Sequence, residues 1–353
     1  STCRPLLPRS QGPRPSATDP SAGRASLAND SWAAKTPITG EVVDKTNPVY
    51  EATIGGPIWK DRGWFFAAGR LQDTTVTRQT AVPTSISYPF GDEQRRLEGK
   101  LTLTPFPNHT LVASYTDINE TFTNFGYGAT PFYDLASVYT MKQPNSLLSL
   151  NYNGVLSDKL FVEAQYSRRL FTFSGYGATT TDLILGTPIY DLAEGRTWNS
   201  PQFCGTGCPD SDEKRDNEDI LLKGTYFLST KSLGSHNIVL GFDDFAGSRW
   251  YNDYATGSQF FINSTATIYD DNTGTLYPVF DSSSYLGYYP ILHPPVASDT
   301  RTYSAFVNDS WRLNNSFSFN LGLRWDKNNA KDSSGFTRAN DQAWSPRLAA
   351  SFD

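Results

Sequence analysis

The chain contains 353 residues with a formal net charge of −6, and 38% of its residues are hydrophobic. It has no run of about 18 apolar residues, which excludes a helix that crosses a bilayer. The acidic balance argues against a nucleic-acid partner, because phosphate binding needs a basic surface. Aromatic residues make up 14% of the sequence. That share suits the interfacial belts of a transmembrane β-barrel and also the core of a β-sandwich.

The chain begins with a segment that shows no hydrophobic periodicity. Residues 1–23 are rich in proline and arginine and are predicted to be disordered. An artefact of the reading frame is the alternative interpretation. Residues 24–48 are interpreted as a lead-in to the first strand. Cys3 does not predict a lipidated N-terminus, because no apolar stretch precedes it.

From about residue 49 onward, apolar and polar residues alternate with a period of two, which predicts β-strands. The clearest segment covers residues 316–326, where the large apolar side chains share one face and polar side chains share the other. Eleven strands are predicted in all, the first near 49–58 and the last beginning at Ser345.

The connections between these segments alternate between short and long. Tight polar turns are predicted at Lys60–Arg62, Pro105–Asn108, Leu156–Asp158, Lys231–Gly234 and Leu313–Asn315. Long polar loops are predicted at 76–93, 119–143, 175–218, 249–300 and 328–344. An outer-membrane barrel shows this alternation, with short turns at the periplasmic rim and long loops outside the cell. The pattern predicts an all-β fold, a partial transmembrane antiparallel up-and-down β-barrel that supplies eleven strands of a larger barrel.

Charged residues also occur in the middle of predicted strands, at Glu98, Lys100, Glu163, Arg169, Lys223 and Arg324. In a barrel these side chains must point to the interior, because an Arg or Lys that faces lipid at mid-depth costs about 2–4 kcal/mol. The wet or plugged interior of a wide barrel tolerates charge. A secreted β-sandwich would place the same residues on its solvated outer face, so that fold stays an alternative.

Catalytic and metal-binding signatures are weak in this sequence. The three histidines, His109, His236 and His293, belong to no hydrolase or metalloprotease motif. No enzyme activity, cofactor or metal site is therefore predicted. The acidic run between Asp210 and Asp219 is interpreted as a solvated loop rather than a calcium site, because basic residues interrupt it.

Two cysteines, Cys204 and Cys208, lie close together within a long predicted loop. In an oxidising compartment they are expected to form a small loop disulfide, with free thiols as the less favoured alternative. A zinc knuckle is disfavoured, because no second Cys or His pair lies near them in the sequence.

The predicted loop 249–300 is rich in aromatic residues, which makes it the best candidate region for ligand contacts. The candidates are Trp250, Tyr251, Tyr254, Tyr285 and Tyr288. Rigid, amphipathic Tyr and Trp side chains favour the binding of sugars, peptides or chelates. The alternative, given equal weight, is that these rings pack the large loops against one another over the barrel mouth.

Several short motifs, in a fixed order, resemble those of TonB-dependent outer-membrane receptors, and in particular the Oar-like group. The first, Gly55–Phe66, reads GGPIWKDRGWFF and is similar to the opening hairpin of those barrels. The others are Gly234–Gly241, Phe306–Leu313, Leu321–Asp326 and Ser345–Leu348. Each motif alone is weak, but their shared order is specific, and the resemblance covers about residues 24–353.

The resemblance implies a barrel of about 22 strands around an N-terminal plug, in the outer membrane of a Gram-negative-type bacterium. It implies that the parent protein imports a scarce ligand, such as a metal chelate, a glycan or a peptide-like molecule, with energy transmitted by TonB. The expected partners are outer-membrane lipid, the plug domain, the TonB complex and a small-molecule or oligomeric ligand. Lys100, Glu163, Lys223 and Arg324 would then face the plug.

On this interpretation residues 49–353 form the N-terminal half of the receptor barrel, and the chain by itself is not expected to transport. A signal peptide, a TonB box and the plug would lie upstream, and the second half of the barrel downstream. Three alternatives stay open: a passive porin or adhesin barrel, a secreted β-sandwich binding module, and a non-functional gene remnant. A plug and a TonB box upstream would distinguish active transport from a passive barrel.

Overall fold

The computed structural model describes residues 47–126, 131–177, 180–201, 212–252, 257–290 and 296–352. Its strands are β1 Val49–Trp59, β2 Gly63–Gln79, β3 Ser87–Phe106, β4 His109–Phe125, β5 Tyr139–Ser157, β6 Leu160–Phe173, β7 Ile189–Asp191, β8 Arg196–Trp198, β9 Glu213–Thr230, β10 Gly234–Tyr251, β11 Phe260–Ser264, β12 Ala266–Asp270, β13 Thr275–Val279, β14 Tyr285–Tyr288, β15 Val296–Arg312, β16 Phe317–Asp332 and β17 Thr337–Phe352. A single turn of 3-10 helix lies at Leu135–Ser137. Within these ranges the chain has no helix that is long and apolar enough to cross a membrane.

Eleven of the strands form one sheet whose order follows the chain. β1 to β6 pair in sequence, β9 pairs with β6, and β10, β15, β16 and β17 complete the order. Every neighbouring pair is antiparallel. β1 and β17 stand at the two ends, so the sheet is not closed within the described residues. The predicted all-β, up-and-down partial barrel of eleven strands is confirmed. A sandwich is excluded, because these strands lie in one sheet rather than in two stacked sheets.

The predicted tight turns lie at one end of this sheet, where residues in the left-handed conformation close several of them. Asp61 and Asn108 have φ values of 61° and 65° in the β1–β2 and β3–β4 turns, and Gly234 has a φ of 75° at the start of β10. A Cβ atom at Gly234 would collide with the carbonyl oxygen of Arg312, so this position requires glycine. Such turns let consecutive strands pair directly in antiparallel fashion.

Some long connections are shorter than the sequence predicts. The loop predicted at 76–93 narrows to 80–86, because β2 and β3 extend into it. The loop predicted at 328–344 is only the tight connection 333–336, since β17 starts well before the predicted Ser345. Beyond the lipid belt both faces of a strand meet water. The side-chain alternation then disappears while the backbone pairing continues.

The other long connections contain structure that the sequence analysis did not predict. The loop between β4 and β5 narrows from 119–143 to 126–138, again because the strands extend. β7 and β8 lie between β6 and β9, and β11 to β14 lie between β10 and β15. β14, β11, β7 and β8 form a four-stranded sheet in that order, and β12 pairs with β13. The loops at this end of the barrel are therefore a folded assembly.

The eleven-stranded sheet has an apolar face and a polar face, which the strand register defines. Directly paired residues of antiparallel strands point to the same face. Val307 pairs with Leu323 on the apolar face, whereas Lys223 pairs with Glu163 on the polar face. The register places all six mid-strand charges on the polar face: Glu98, Lys100, Glu163, Arg169, Lys223 and Arg324. This is the arrangement predicted for side chains that must avoid lipid.

Aromatic side chains collect where the apolar face meets the short turns. The rings of His236 and Trp311 stack with centroids 5.3 Å apart, and Trp311 lies 5.0 Å from Phe319. Phe317 and Phe352 are also 5.0 Å apart. Girdles of aromatic residues mark the membrane interfaces of transmembrane barrels. This edge is therefore one boundary of the lipid-facing band, and its short turns are those of the periplasmic side of such barrels.

Candidate functional site

Buried and partly buried side chains, all aromatic except one methionine, form two adjoining clusters on the polar-face side, at the end of the sheet that carries the long loops. Together they make the inner-face cluster: Tyr88, Phe90, Phe122, Phe125, Phe132, Tyr139, Met141, Phe171, Phe173 and Tyr176. The ring centroids of Phe90 and Phe122 are 6.3 Å apart, and those of Phe173 and Tyr176 are 6.1 Å apart. Phe90 lies on the same face of β3 as Lys100, because an even number of residues separates them. The cluster thus lines the inside of the barrel mouth.

Arginine side chains stack on rings at the margin of this cluster. The guanidinium of Arg78 lies 3.5 Å from the centroid of Phe90, and that of Arg169 lies 4.6 Å from Phe171. Cations placed over aromatic faces are attracted by the ring quadrupole. The mouth therefore combines apolar rings with fixed positive charges.

Glu213, the first residue of β9, is completely buried between two arginines. Its Oε1 accepts hydrogen bonds from the Nε of Arg215 at 2.6 Å and from the Nε of Arg249 at 2.8 Å. Arg215 and Arg249 are direct cross-strand partners, an arrangement in which like charges repel. The shared carboxylate offsets that repulsion. Glu213, Arg215 and Arg249 are called the arginine–glutamate triad below.

The triad is anchored to aromatic rings and retains free hydrogen-bonding groups. Arg215 lies 4.6 Å from the ring centroid of Phe173, and Arg249 lies 4.1 Å from that of Tyr251. The two arginine side chains are 42% and 44% exposed. Within the described chain, the Oε2 of Glu213 has no hydrogen-bond partner. An incoming molecule can therefore meet the exposed parts of the two arginines, whereas the carboxylate of Glu213 is out of its reach.

A buried carboxylate ties the loops above the cluster together. Asp191 is almost fully buried, and its Oδ1 accepts the backbone N–H groups of Ala193 at 2.9 Å and Glu194 at 3.1 Å. Its Oδ2 accepts the hydroxyl of Tyr133 at 3.2 Å. The bond from Tyr133 joins the β4–β5 loop to the β6–β9 loop, so these two loops are held in one arrangement.

A second carboxyl in the loops is shifted by its surroundings. Burial raises the pKa of Asp134, although the Ser137 hydroxyl at 2.7 Å and the Asn199 N–H at 2.8 Å donate hydrogen bonds to it. Nearby, the Nη1 of Arg196 donates to the carbonyl oxygen of Val82 at 2.7 Å. These contacts connect three loops and give the extracellular end a fixed shape.

The structure does not bring the predicted ligand residues together in one site. Trp250 is half exposed and lies on the apolar-face side of β10, whereas Tyr251 lies on the polar-face side. Tyr285 and Tyr288 both belong to β14, where a spacing of three places them on opposite faces. Tyr254 lies outside the described residues. Of the candidates within the described residues, Tyr251 is the one that contacts the triad.

Packing among the loops accounts for some of their aromatic content. The ring centroids of Phe260 and Tyr288 are 4.9 Å apart, and those of Phe261 and Tyr285 are 6.1 Å apart. Tyr285 and Tyr288 are nevertheless 55% and 59% exposed. One part of each ring therefore packs against a neighbouring loop strand, and the other part is exposed to solvent. Their role in ligand binding stays a prediction.

The described histidines, His109 and His236, lie at the short-turn edge of the sheet. The Nδ1 of His109 lies 2.8 Å from the hydroxyl of Tyr152, and the Nδ1 of His236 lies 2.7 Å from the Oδ2 of Asp309. Among the described residues, no group of His, Cys, Asp and Glu is large enough to hold a metal ion. The residues of the predicted disulfide and the third histidine lie outside the described ranges: Cys204, Cys208 and His293.

The triad is not predicted from the sequence, where the run from Asp210 to Asp219 has the pattern of a solvated loop. From Glu213 onward this run belongs to β9, and Glu213 is buried, so that interpretation is wrong there. The overlooked signal is the placement of Glu213 and Arg215 two residues apart, which puts opposite charges on one face of a strand. The partner, Arg249, is visible only from the register of β9 with β10.

Comparison with known proteins agrees with this architecture. Residues 85–335 match the sequence model of the outer membrane beta barrel domain family. Among curated proteins, the chain is similar to the TonB-dependent transporter Oar of Myxococcus xanthus. The two are 24% identical over 399 residues, which cover 90% of this chain and 37% of that protein.

Among solved structures, the chain is similar to FpvA of P. aeruginosa bound to heterologous pyoverdines. The TM-score is 0.55 at 12% identity, covering 87% of this chain and 38% of that one. It is also similar to the outer membrane transporter YddB from Escherichia coli, with a TM-score of 0.52 at 12% identity, covering 86% of this chain and 35% of that one. At such low identity these likenesses show the fold alone. The chain spans well under half the length of each of these proteins.

Proposed function

The chain belongs to the outer membrane beta barrel domain family, and from this premise we propose that it forms part of the wall of a receptor that imports a scarce ligand. The observation that carries the proposal is the difference in polarity between the two faces of the sheet. The outer face is apolar, whereas the inner face carries charges at membrane depth and rings and arginines at the mouth. Such an interior suits a barrel that is plugged or filled with water.

Energy coupling is the second part of the proposal. The curated relative that covers 90% of this chain is named a TonB-dependent transporter, which supports import driven through TonB rather than passive diffusion. The protein would act as a carrier and not as an enzyme. Its partners would be outer-membrane lipid, a plug domain, the TonB complex and the ligand itself.

The remainder of the wall would come from a longer protein, of which residues 49–353 form the N-terminal half of the barrel. The open sheet and the share of the relative that the chain spans support this division. Lys100, Glu163, Lys223 and Arg324 would face the plug. Two of these side chains already satisfy each other, since the Nζ of Lys223 lies 2.5 Å from the Oε2 of Glu163.

The ligand would be captured outside the cell and then pass the inner-face cluster. Tyr285 and Tyr288 are exposed on the loop assembly and suit first contact with a chelate, a glycan or a peptide-like molecule. Tyr251, beside the triad, would contact the ligand deeper in the mouth. This sequence of contacts places capture before any movement of the plug.

The proposal is tested by comparing the source bacterium with a strain that lacks the gene and with a complemented strain. We expect the intact gene to increase depletion of at least one compound from the medium, and an uncoupler of the proton gradient to abolish the difference. The purified full-length protein in liposomes should not accelerate swelling in arabinose or raffinose. Swelling together with uncoupler-insensitive depletion would favour the passive porin instead.

A further inference from the structure

We propose that the arginine–glutamate triad of Glu213, Arg215 and Arg249 binds an oxyanion, either a carboxylate or a phosphate, that is attached to an apolar or aromatic part of the ligand. The inference rests on the proposed function, because it assigns a substrate class to the mouth of the same barrel. It is carried by charge, by geometry and by the rings around the triad.

The charge of the triad favours an anion. Two guanidinium groups, which stay protonated in proteins, share the single carboxylate of Glu213. The triad therefore has an excess of positive charge. Arg215 and Arg249 are also held directly opposite each other across two strands, where like charges repel. A second anion between them would relieve that repulsion.

The geometry leaves the binding edges of the arginines free. Both arginines are tethered to Glu213 through Nε, and within the described residues their terminal amino groups make no hydrogen bond of their own. A planar guanidinium matches a carboxylate or phosphate with two parallel hydrogen bonds. The two side chains are 42% and 44% exposed, which keeps these edges within reach of a molecule in the mouth.

The ratio of carboxylates to guanidinium groups in the triad differs from that of an ordinary ion pair in the same sheet. Arg301 donates to Asp244 through Nε at 2.8 Å and through Nη2 at 2.6 Å, so one guanidinium satisfies one carboxylate. In the triad one carboxylate must serve two guanidinium groups through a single oxygen.

The surrounding rings define what the oxyanion is attached to. Phe173 supports Arg215 and Tyr251 supports Arg249, and Phe173 continues into the inner-face cluster through Tyr176. Pockets with mostly apolar walls and a few placed polar groups suit ligands of the same mixed character. An aromatic or acyl acid fits this description, whereas a neutral sugar does not.

The test uses the full-length protein in lipid vesicles and three probes: benzoate, phenylphosphonate and the neutral benzyl alcohol. Saturation-transfer NMR measures the affinity of each probe. We expect one or both anions to bind and the alcohol not to bind, and the anion that binds identifies a carboxylate or a phosphate as the natural group. Arg215→Gln and Arg249→Gln should each weaken anion binding by about tenfold or more, since a charged hydrogen bond is lost. The matched control is Arg301→Gln, which removes an arginine that pairs with Asp244 on the opposite face of the sheet and should leave binding unchanged.

Glu213→Gln gives the decisive result. It keeps the shape of the side chain but removes the competing carboxylate, so we expect benzoate to bind about tenfold more tightly. A triad that only stabilises the fold would show no gain. Heat-dependent migration on gels reports whether each variant is folded. If Arg249→Gln alone does not fold, because the buried carboxylate has lost a partner, the double variant Glu213→Gln with Arg249→Gln removes that charge. Its affinity for benzoate, compared with that of Glu213→Gln, then measures the contribution of Arg249.

Two outcomes would overturn the inference: a folded Glu213→Gln protein that binds benzoate no better than the parent, or an Arg301→Gln protein that loses as much affinity as the triad variants. Probe binding requires no energised uptake. If uptake is intact but the triad binds no anion, only this inference fails. If the triad binds anions but the gene supports no uptake, only the proposed function fails.

Discussion

The three charged residues of the arginine–glutamate triad differ in burial. This difference determines how much folding stability is lost when each of them is substituted. Glu213 is fully buried, whereas Arg215 and Arg249 are partly exposed. Removing an arginine leaves a buried carboxylate with too little compensation, which is strongly destabilising. Removing the glutamate leaves arginines that water can solvate. The arginines should therefore matter more for stability than the acid that they surround.

The stability of the triad is tested with Arg249→Ala, which we expect to lower the free energy of unfolding by about 3 kcal/mol. Glu213→Gln should cost about 1 kcal/mol, the net value of a typical hydrogen bond. The control is Arg95→Ala, since Arg95 forms an exposed ion pair with Glu93, and it should cost less than about 1 kcal/mol. Guanidinium unfolding of the full-length protein in micelles measures all three. Equal losses for Arg249→Ala and Arg95→Ala would contradict the argument.

A loop carboxyl offers a test of pH dependence at the same scale. The hydroxyl of Ser283 at 2.6 Å and its N–H at 2.7 Å donate to Asp281. Together with the side chain of Thr265, these bonds lower the pKa of that carboxyl to about 2. Because the folded pKa lies below the ordinary value of 3.8, the bonds stabilise the turn above about pH 4, and the contribution is lost as the pH falls through about 2.

We expect Ser283→Ala to raise the pKa of Asp281 toward its ordinary value, because the strongest donor is removed. Carbon NMR of protein labelled at the aspartate carboxyls follows the titration. Ser334→Ala is the control, since it removes the equivalent hydroxyl bond to Asp332 and should leave Asp281 unchanged. An Asp281 titration that is the same in the parent and in Ser283→Ala would show that the hydroxyl is not the cause.

Among the strands, sequence alternation identifies the portion that lies in lipid and little else. In β16 the apolar and polar residues alternate cleanly between Phe317 and Trp325, and this part was predicted. From Lys327 to Asp332 both faces are polar, so the same strand continues without a signal. The strand ends of a barrel are set by backbone pairing in water, which leaves no mark on hydropathy.

The strands of the loop assembly were beyond prediction for a different reason. β7 and β8 have three residues each, too few for a period to appear. Contacts with distant segments hold β7 in place: the N–H of Ile262 donates to the carbonyl oxygen of Pro188, and that of Leu192 donates to Ser264, both at 3.0 Å. The triad likewise depends on contacts between segments that are distant in the sequence. Its two arginines meet only because β9 and β10 pair in one register.

The assignment of the two faces is tested by spin labels at two positions on each face. Labels at Lys223 and Arg324 should collide mainly with a water-soluble nickel chelate, because the polar face lines the interior. Labels at Leu240 and Leu323 should collide mainly with oxygen, which concentrates in lipid. The native cysteines are first replaced by serine. Oxygen-rich surroundings at both polar-face positions would mean that the faces have been assigned the wrong way round.

For the molecule as a whole, the open edges of the sheet are the main structural constraint. Among the described strands, β1 and β17 each have one partner and lie at opposite ends of the order. Backbone N–H and C=O groups that face lipid without partners cost several kcal/mol each, and exposed edges in water promote aggregation. The apolar face is therefore stable only in lipid, whereas the two edges are unstable in lipid until other strands pair with them.

The 353-residue chain expressed alone is accordingly expected to aggregate or stay unfolded in detergent, whereas the full-length gene product folds. Size-exclusion chromatography and heat-dependent gel migration of both proteins measure this difference. A monodisperse, folded monomer of the chain would contradict the edge argument, since eleven strands would then suffice. A folded particle of twice the mass would have a different meaning. Two copies can place β1 of one against β17 of the other, and such a dimer would show that edge pairing, rather than a particular set of missing strands, is what the wall requires.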